Sequence, residues 1–306
     1  MENYRKIIFR FPLSVLHLDV MLEKELEAAV ALAREAGKTI LEFYALEIIA
    51  EQKLGADNFS EPVTIADKTA SRMIVSGLTE AFPEDGVLSE EEDDLIEIRA
   101  TRKRVWMIDP IDGTWGFIKK DGDFGVQIGL TDGSEVILGV VFLPVHNTLY
   151  FASKGAGAFM VQNEEAPQRL QVSDKTNFTE MLLASSRNHR SPKMHRIIED
   201  FGFRQEIQRG SVGIKIGLIA QQICDLYIHL SPRTKFWDTC APQIILEEAG
   251  GKMTDLFGSP MRYDLSDVQN HNGILATNNA AHDETVQHLK PLLREFGRLR
   301  MKARAT

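Results

Sequence analysis

The stretch that most constrains the fold of this chain is residues 105–117, which read VWMIDPIDGTWGF. Its apolar start, Val105–Ile108, predicts a short buried strand. Asp109, Asp112 and Thr114 are then expected on a loop at the carboxyl end of that strand, which is where open α/β sheets place their sites. The stretch therefore predicts a mixed α/β fold with a functional site at this loop.

The two carboxylates of this stretch have the chemistry of a metal site. Asp109 and Asp112 stand three residues apart, Pro110 stiffens the turn between them, and Gly113 lets the backbone approach a ligand closely. Hard oxygen anions at this spacing suit Mg²⁺. Gly113 and Thr114 are also expected to open a helix whose free N–H groups attract a phosphate. In isolation, the same string is explained equally well by an ordinary turn in which Asp109 caps a helix.

Further acidic residues follow other predicted elements in the first half of the chain. A helix is predicted from Ile65 to Phe82, and Asp67 falls in its first turn, where the helix dipole alone favours an acid. A short strand at residues 87–89 leads directly into Glu90 and Glu91. Because the central stretch also delivers acids after a strand, the two strand ends can share a metal.

The chain divides into two predicted lobes at a polar, irregular segment, residues 162–180. This division predicts an N-terminal extension at residues 1–19, a first lobe at 20–180 and a second lobe at 181–306. An amphipathic helix from Met21 to Ala45 is expected to open the first lobe.

The second lobe contains basic residues and one more acid at element boundaries. A strand ending near residue 184 is followed by a basic cluster that includes His189, which suits a phosphate or a nucleotide, although a lone histidine is more often an ordinary surface residue. Lys215 lies near the start of a predicted helix. Asp238 stands at the start of another helix, where a cap explains it without catalysis.

The charge balance excludes several classes of function. The chain has 35 basic and 44 acidic residues, a net charge of −9, which argues against binding to nucleic-acid polymers or anionic membranes.

Two cysteines form neither a metal-ligand spacing nor a disulfide framework, so a reducing cytoplasm is expected. No run reaches the roughly 18 apolar residues of a membrane helix. The sequence leaves the oligomeric state open, a homodimer included.

Four motifs, at family-like spacing, resemble those of the inositol monophosphatase superfamily. They are PVTIAD at 62–67, LSEE at 88–91, MIDPIDGTWGF at 107–117, and WDTCAP with IILEEAGG within 237–251. Members of this family are Mg²⁺-dependent, lithium-sensitive phosphatases. The resemblance implies a layered αβαβα sandwich with a metal site between the lobes.

The resemblance also implies a role for each matching residue. The metal ligands, for two or three Mg²⁺ ions, are expected to be Glu90, Asp109, Asp112, Asp238 and the carbonyl of Ile111. Asp67 and Thr114 match the pair that orients and deprotonates the attacking water. Glu91 matches an acid placed near an outer metal.

The substrate is predicted from the second lobe, which looks closest to the adenosine 3′,5′-bisphosphate nucleotidase branch. In that branch, the positions of His189, Lys215 and Arg233 hold the nucleotide. The helix start at Gly113 and Thr114 is expected to bind the phosphate of the substrate. Ser231 replaces the glutamate with which inositol phosphatases bind sugar hydroxyls. The alternatives are an inositol or sugar monophosphatase and a catalytically silent binding protein. One residue departs from the family pattern: Trp115 stands where a smaller or polar residue is common.

Overall fold

The computed structural model describes residues 22–46, 50–54, 60–187 and 191–301, which form alternating layers of helices and sheets. The predicted N-terminal extension and His189 lie outside the described residues. None of the described helices combines the length and the apolar character that crossing a membrane requires.

The first layer consists of two long helices, α1 (Glu23–Tyr44) and α2 (Ile65–Ala81), whose ends lie within two residues of the predicted ones. They pack closely because Gly77 of α2 has no side chain. A Cβ atom at Gly77 would lie 2.5 Å from Leu32 of α1. A small hairpin of β1 (Glu51–Leu54) and β2 (Ser60–Val63) connects the two helices.

The second layer is a seven-stranded sheet whose strands lie side by side in chain order. The first two strands are parallel and the other pairs are antiparallel, as expected for strands joined by short hairpins. Two short helices, α3 (Ile96–Arg99) and α4 (Thr114–Ile118), flank the second strand in the chain. The strands are β3 (Gly86–Ser89), β4 (Arg104–Asp112), β5 (Gly125–Asp132), β6 (Glu135–Leu143), β7 (Thr148–Ser153), β8 (Gly157–Gln162) and β9 (Gln168–Arg169).

The remaining three layers contain the second half of the chain. A 3₁₀ turn (Phe178–Glu180) precedes a five-stranded sheet formed by β10 (Leu182–Ser186), β11 (Gln205–Arg209), β12 (Leu226–His229), β13 (Lys252–Thr254) and β14 (Ile274–Thr277). Its strand order is β11-β10-β12-β14-β13. Between the sheets lie α6 (Val212–Ala220) and α7 (Phe236–Glu248), and the outer layer is α5 (Pro192–Phe201) with α8 (His282–Glu295).

Strand alternation decides which residues face which layer, and β4 shows this clearly. Trp106 and Ile108 pack towards α1 and α2, whereas Val105 and Met107 belong to the apolar core that surrounds α7. Buried apolar residues fill each interlayer space, so the αβαβα sandwich implied by the resemblance is confirmed.

The structure contains several elements that the sequence predictions omitted, and α5 and β11 are two of them. Strand β11 is short and mostly polar, with no clean apolar alternation. Helix α5 did carry a start signal, because the Ser191 hydroxyl accepts a hydrogen bond from the backbone of Met194 and Pro192 follows the cap.

Candidate metal and phosphate site

Strand β4 carries Asp109 and Asp112, and it continues through both residues instead of ending before them. This finding corrects the predicted loop. Asp109 lies opposite Gln127 of β5 and Asp112 lies opposite Gly125, so three steps on β4 match two on β5. In a regular strand, residues three apart point to opposite faces, and the extra residue of this β-bulge turns both carboxylates to one face. Pro110 is tolerated inside the bulge because it needs no ladder partner there.

A third carboxylate, from Asp238, approaches from the neighbouring helix layer. Asp238 is the third residue of α7, and it accepts a hydrogen bond of 2.5 Å from the backbone N–H of Lys235. Carboxylate oxygens of Asp109, Asp112 and Asp238 all lie within 4.8 Å of one another. Three hard oxygen donors that converge in this way suit a divalent cation such as Mg²⁺.

The electrostatics of this cluster favour a cation. Burial raises the pKa of Asp109 well above its usual value, and the nearby charges of Glu90, Asp112 and Asp238 raise it further. Burial also raises the pKa of Asp112, although the Lys215 charge and a hydrogen bond from Ser211 oppose this shift. Buried like charges destabilise one another unless a positive charge lies among them, so a metal ion would relieve this repulsion.

Asp67 and Thr114 are in contact beside the cluster. One oxygen of Asp67 accepts hydrogen bonds from the backbone N–H of Thr64 (2.8 Å) and from the Thr64 hydroxyl (2.5 Å). The Thr114 hydroxyl lies 3.4 Å from the other oxygen of Asp67 and 3.3 Å from the carbonyl of Ile111. Asp67 therefore caps α2 and still presents its second oxygen to Thr114.

Burial changes the protonation behaviour of Asp67. It raises the pKa of Asp67 to about 6, against the effect of the Thr64 hydrogen bonds. The charge of Glu91 raises this pKa as well, which places Glu91 near Asp67. Glu90, the other half-buried acid after β3, acts on Asp109 instead, and its backbone N–H donates to the carbonyl of Ile108 (3.1 Å).

Gly113 joins the bulge to α4 in a conformation that glycine alone adopts easily. Its φ of +95° lies in the left-handed region, and a Cβ atom there would come within 2.5 Å of the Asp123 carbonyl. The predicted helix start at Thr114 is confirmed, but α4 has only five residues.

Lys215, a predicted substrate contact, has a buried side chain behind Asp112. Its ammonium group donates to the carbonyls of Gly210 (3.0 Å) and Ser211 (2.6 Å) and lies 5.0 Å from the ring centre of Tyr227. The side chain is 1% exposed, and burial lowers its pKa to about 8. Contact with a substrate stays a prediction, and it would require the ammonium group to leave these carbonyls.

The other two predicted nucleotide contacts are less defined. Arg233 is half-buried in the segment before α7, where its carbonyl accepts a hydrogen bond of 3.1 Å from Lys235. His189 lies outside the described residues. Their roles towards a nucleotide stay predictions.

Ser211 is a site residue that the sequence predictions missed. Its hydroxyl donates to Asp112 (2.5 Å) and accepts from the backbone N–H of Ile214 (3.1 Å). The backbone N–H of Gly213 also donates to Asp112 (2.8 Å). The start of α6 therefore binds the carboxylate of Asp112. The available signal in the sequence was a serine directly before a helix, where its hydroxyl can cap the helix start.

A second missed group links the segment after α4 to the second half of the chain. Arg187, at the end of β10, forms ion pairs with Asp121 (2.5 Å) and Asp123 (2.6 Å). Asp123 also accepts a hydrogen bond from the backbone N–H of Gly210 (3.0 Å). These contacts fix the start of α6 against the strand that follows the bulge.

Comparison with known proteins identifies relatives of this chain. The inositol monophosphatase family matches residues 21–294. The 3′(2′),5′-bisphosphate nucleotidase CysQ of Escherichia coli strain K12 is 35% identical over 242 residues, which cover 78% of this chain and 93% of CysQ. The corresponding protein of Haemophilus influenzae is 32% identical over 244 residues, covering 79% of this chain and 88% of that protein.

Solved structures share the fold. The Thermotoga maritima IMPase superposes with a TM-score of 0.75 at 27% identity and covers 90% of this chain and 100% of its own. CysQ from Bacteroides thetaiotaomicron, a bacterial member of the inositol monophosphatase family, superposes with a TM-score of 0.70 at 30% identity, over 85% of this chain and 99% of its own. The match over nearly the whole described chain agrees with the motif order and with the acidic cluster. This chain belongs to the inositol monophosphatase family and is a phosphatase, a phosphoric monoester hydrolase.

Proposed function

We propose that this chain is a Mg²⁺-dependent phosphatase that removes the 3′-phosphate of adenosine 3′,5′-bisphosphate, yielding AMP and inorganic phosphate. The observation that carries the proposal is the convergence of Asp109, Asp112 and Asp238 beside the pair formed by Asp67 and Thr114. The nucleotide substrate is supported by the identity of 35% to a 3′(2′),5′-bisphosphate nucleotidase over most of the chain.

The residues would divide the reaction between metal binding and water activation. Glu90, the three clustered aspartates and the carbonyl of Ile111 would hold Mg²⁺, and Glu91 would lie near an outer ion. Bound Mg²⁺ supplies positive charge that eases the loss of a proton from water and stabilises the leaving oxygen.

Thr114 and Asp67 would act on the nucleophile. The Thr114 hydroxyl would orient the attacking water, and Asp67, which has an oxygen 3.4 Å from that hydroxyl, would accept a proton through it. The water oxygen forms a bond to phosphorus while the bond from phosphorus to the 3′-oxygen breaks. The 3′-oxygen takes a proton from solvent water and leaves as the hydroxyl of AMP, and the proton held by Asp67 returns to solvent, so this scheme needs no covalent phosphoenzyme.

An exposed aromatic side chain next to Thr114 in the chain supports a nucleotide substrate. Trp115 follows Thr114 directly, and its side chain is 42% exposed, with the Lys119 ammonium group 5.4 Å from the ring centre. An exposed indole beside a cation is suited to an aromatic base and a phosphate. Lys215 and Arg233 remain the proposed partners of the second phosphate, and the His189 imidazole remains the proposed stacking partner of the adenine.

An inositol or sugar monophosphatase is the second candidate function. It is favoured by the TM-score, which is 0.75 for the Thermotoga IMPase and 0.70 for the Bacteroides CysQ. A substrate with a single phosphate would leave a binding site for a second phosphate unused.

The deciding experiment measures phosphate release from adenosine 3′,5′-bisphosphate and from inositol 1-phosphate, with Mg²⁺ and with a chelator. We expect kcat/KM to favour the nucleotide by about 100-fold, which corresponds to about 2.7 kcal/mol of transition-state preference. Preference for inositol phosphate would select the second candidate. Metal binding without phosphate release from either substrate would indicate a binding protein.

A further inference from the structure

Gln127 is a buried polar side chain that the mechanism does not use. It lies on β5 and has no exposed surface. Neither its Nε2 nor its Oε1 atom has a hydrogen-bond partner among the described residues. Buried amides are normally paired, because an unpaired one loses its hydration without compensation. A side chain that is kept polar in such a place needs a physical reason.

The strand register places this amide beside a metal ligand. Gln127 lies directly opposite Asp109 in the antiparallel pair β4–β5. Opposite residues in such a pair point to the same face, with Cβ atoms about 4.5–5.5 Å apart. The amide and the Asp109 carboxylate are therefore neighbours on one surface of the sheet.

That surface faces α7, which also supplies Asp238. The next pair on the same face is Met107 with Gly129, and a Cβ atom on Gly129 would lie 2.5 Å from the sulfur of Cys240 in α7. Gln127 thus lies between the sheet and α7, one pair nearer to the acidic cluster. Gln127 and Asp109 are both buried, so the amide lies in a space shielded from solvent beside one carboxylate of the cluster.

We propose that Gln127 is a positioning residue of the metal site, whose Nε2 group donates a hydrogen bond to the Asp109 carboxylate when a divalent cation is bound. The inference rests on the proposed function, because it takes the acidic cluster to be a metal site. One oxygen of Asp109 already accepts from the backbone N–H of Ile111 (3.0 Å). The amide would supply the second restraint and leave lone pairs for the metal. Partners of this kind orient ligands in many metal sites.

The two explanations for Gln127 predict different outcomes when the amide is removed. If the side chain only fills space, Gln127→Met keeps its length, removes an unpaired amide and leaves metal binding unchanged. If it positions Asp109, the same substitution weakens metal binding while the metal-free protein is no less stable than wild type.

Mn²⁺ is a suitable probe, since its free and bound forms are distinguished by electron paramagnetic resonance. We expect Gln127→Met to raise the Kd for Mn²⁺ about tenfold, the usual effect of losing such a partner. Calorimetry should show an unchanged or higher Tm for the metal-free variant. Gln127→Leu repeats the test with a second apolar side chain.

The matched control is Thr131→Val, on the same strand and the same face. Thr131 is buried and donates to the carbonyl of Val105 (3.3 Å), four residues away from Gln127. This variant should bind Mn²⁺ as wild type does. A Kd for Gln127→Met and Gln127→Leu within twofold of wild type would overturn the inference.

A further arm separates this inference from the proposed function. Wild type should bind Mn²⁺ tightly and Asp112→Asn should not. If wild type binds no Mn²⁺, the metal site and the role of Gln127 are both refuted. If wild type binds and the Gln127 variants bind equally well, only the role of Gln127 is refuted.

Discussion

Asp67 and Asp238 begin two helices in the same way but face different surroundings. Each is the third residue of its helix, and each accepts a hydrogen bond from the backbone N–H three residues earlier, at 2.8 Å from Thr64 and 2.5 Å from Lys235. Helix α2 packs against one face of the seven-stranded sheet and α7 against the other. The two carboxylates thus reach the end of β4 from opposite sides.

The difference between them lies in the oxygen that capping leaves available. In Asp67 it meets the Thr114 hydroxyl, and in Asp238 a carboxylate oxygen joins Asp109 and Asp112. The same local interaction therefore occurs in the proposed proton acceptor of one helix and in the proposed metal ligand of the other. Local sequence decides that the acid starts a helix, and the neighbouring layer decides what the acid can do.

The largest effect should come from Asp238→Asn. Asparagine can still accept the hydrogen bond from Lys235, but it removes one of the three clustered charges. We expect kcat/KM with Mg²⁺ to fall by roughly 10³–10⁴-fold, since metal charge stabilises the transition state by several kcal/mol. Steady-state assays over a Mg²⁺ titration, with circular dichroism as the control for folding, check this. Activity near that of wild type would show that Asp238 only caps α7.

The next effect should come from Asp67→Asn, which tests the other side of the comparison. Asparagine preserves the cap of α2 but accepts no proton. We expect kcat to fall by about 10²–10³-fold, the usual contribution of a general base, while the Mn²⁺ affinity stays close to that of wild type. A large loss of Mn²⁺ binding would instead place Asp67 among the metal ligands.

A smaller effect concerns the stability of the metal-free protein as pH changes. The pKa of Asp67 is raised by burial from 3.8 to about 6, so the folded state binds the proton more tightly than the unfolded state does. Protonated Asp67 contributes about 3 kcal/mol to the free energy of unfolding. This contribution is complete below pH 4 and is lost as the pH rises through 6.

The check is denaturant unfolding of chelated wild type and Asp67→Asn between pH 4 and 8. Asparagine at position 67 binds no proton in this range. The free energy of unfolding of the variant, relative to that of wild type, should therefore increase as the pH rises. A constant difference across that range would contradict the assignment.

The smallest effect should follow Ser211→Ala. The substitution removes the hydroxyl that donates to Asp112 and caps α6, but the Gly213 N–H still donates to the same carboxylate. We expect a loss of about 1 kcal/mol in stability and a rise in the Mn²⁺ Kd of about tenfold or less. Ser191→Ala, which removes the cap of α5, is the matched control: it should cost similar stability and leave Mn²⁺ binding unchanged.

The parts of the fold that could be predicted are those with local signals. The apolar stripes of α1 and α2, the Thr64 cap and the hairpin at residues 131–134 all depend on contacts between residues close in the chain. The motif that contains Asp109 and Asp112 also indicated where acidic side chains converge, and the cluster with Asp238 forms there; that it binds a metal stays a prediction.

The features that escaped prediction depend on distant partners. The bulge in β4 exists only in its pairing with β5, and the Ser211 contact with Asp112 spans 99 residues of chain. The burial of Lys215 results from helix α6 being enclosed between two sheets. The periodicity of apolar residues in the sequence gives no information about such contacts.

The amino-acid sequence by itself determined the two long helices α1 and α2, the apolar start of β4, and the positions of Asp67 and Asp238 in the first turns of helices. Capping and hydrophobic alternation act over three or four residues, so they are readable from the chain. The tertiary structure alone decided that the bulge turns Asp109 and Asp112 to one face, that α7 brings Asp238 to meet them, and that Gln127 lies beside them. These outcomes follow from strand register and layer packing, in which side chains far apart in sequence compete for the same space.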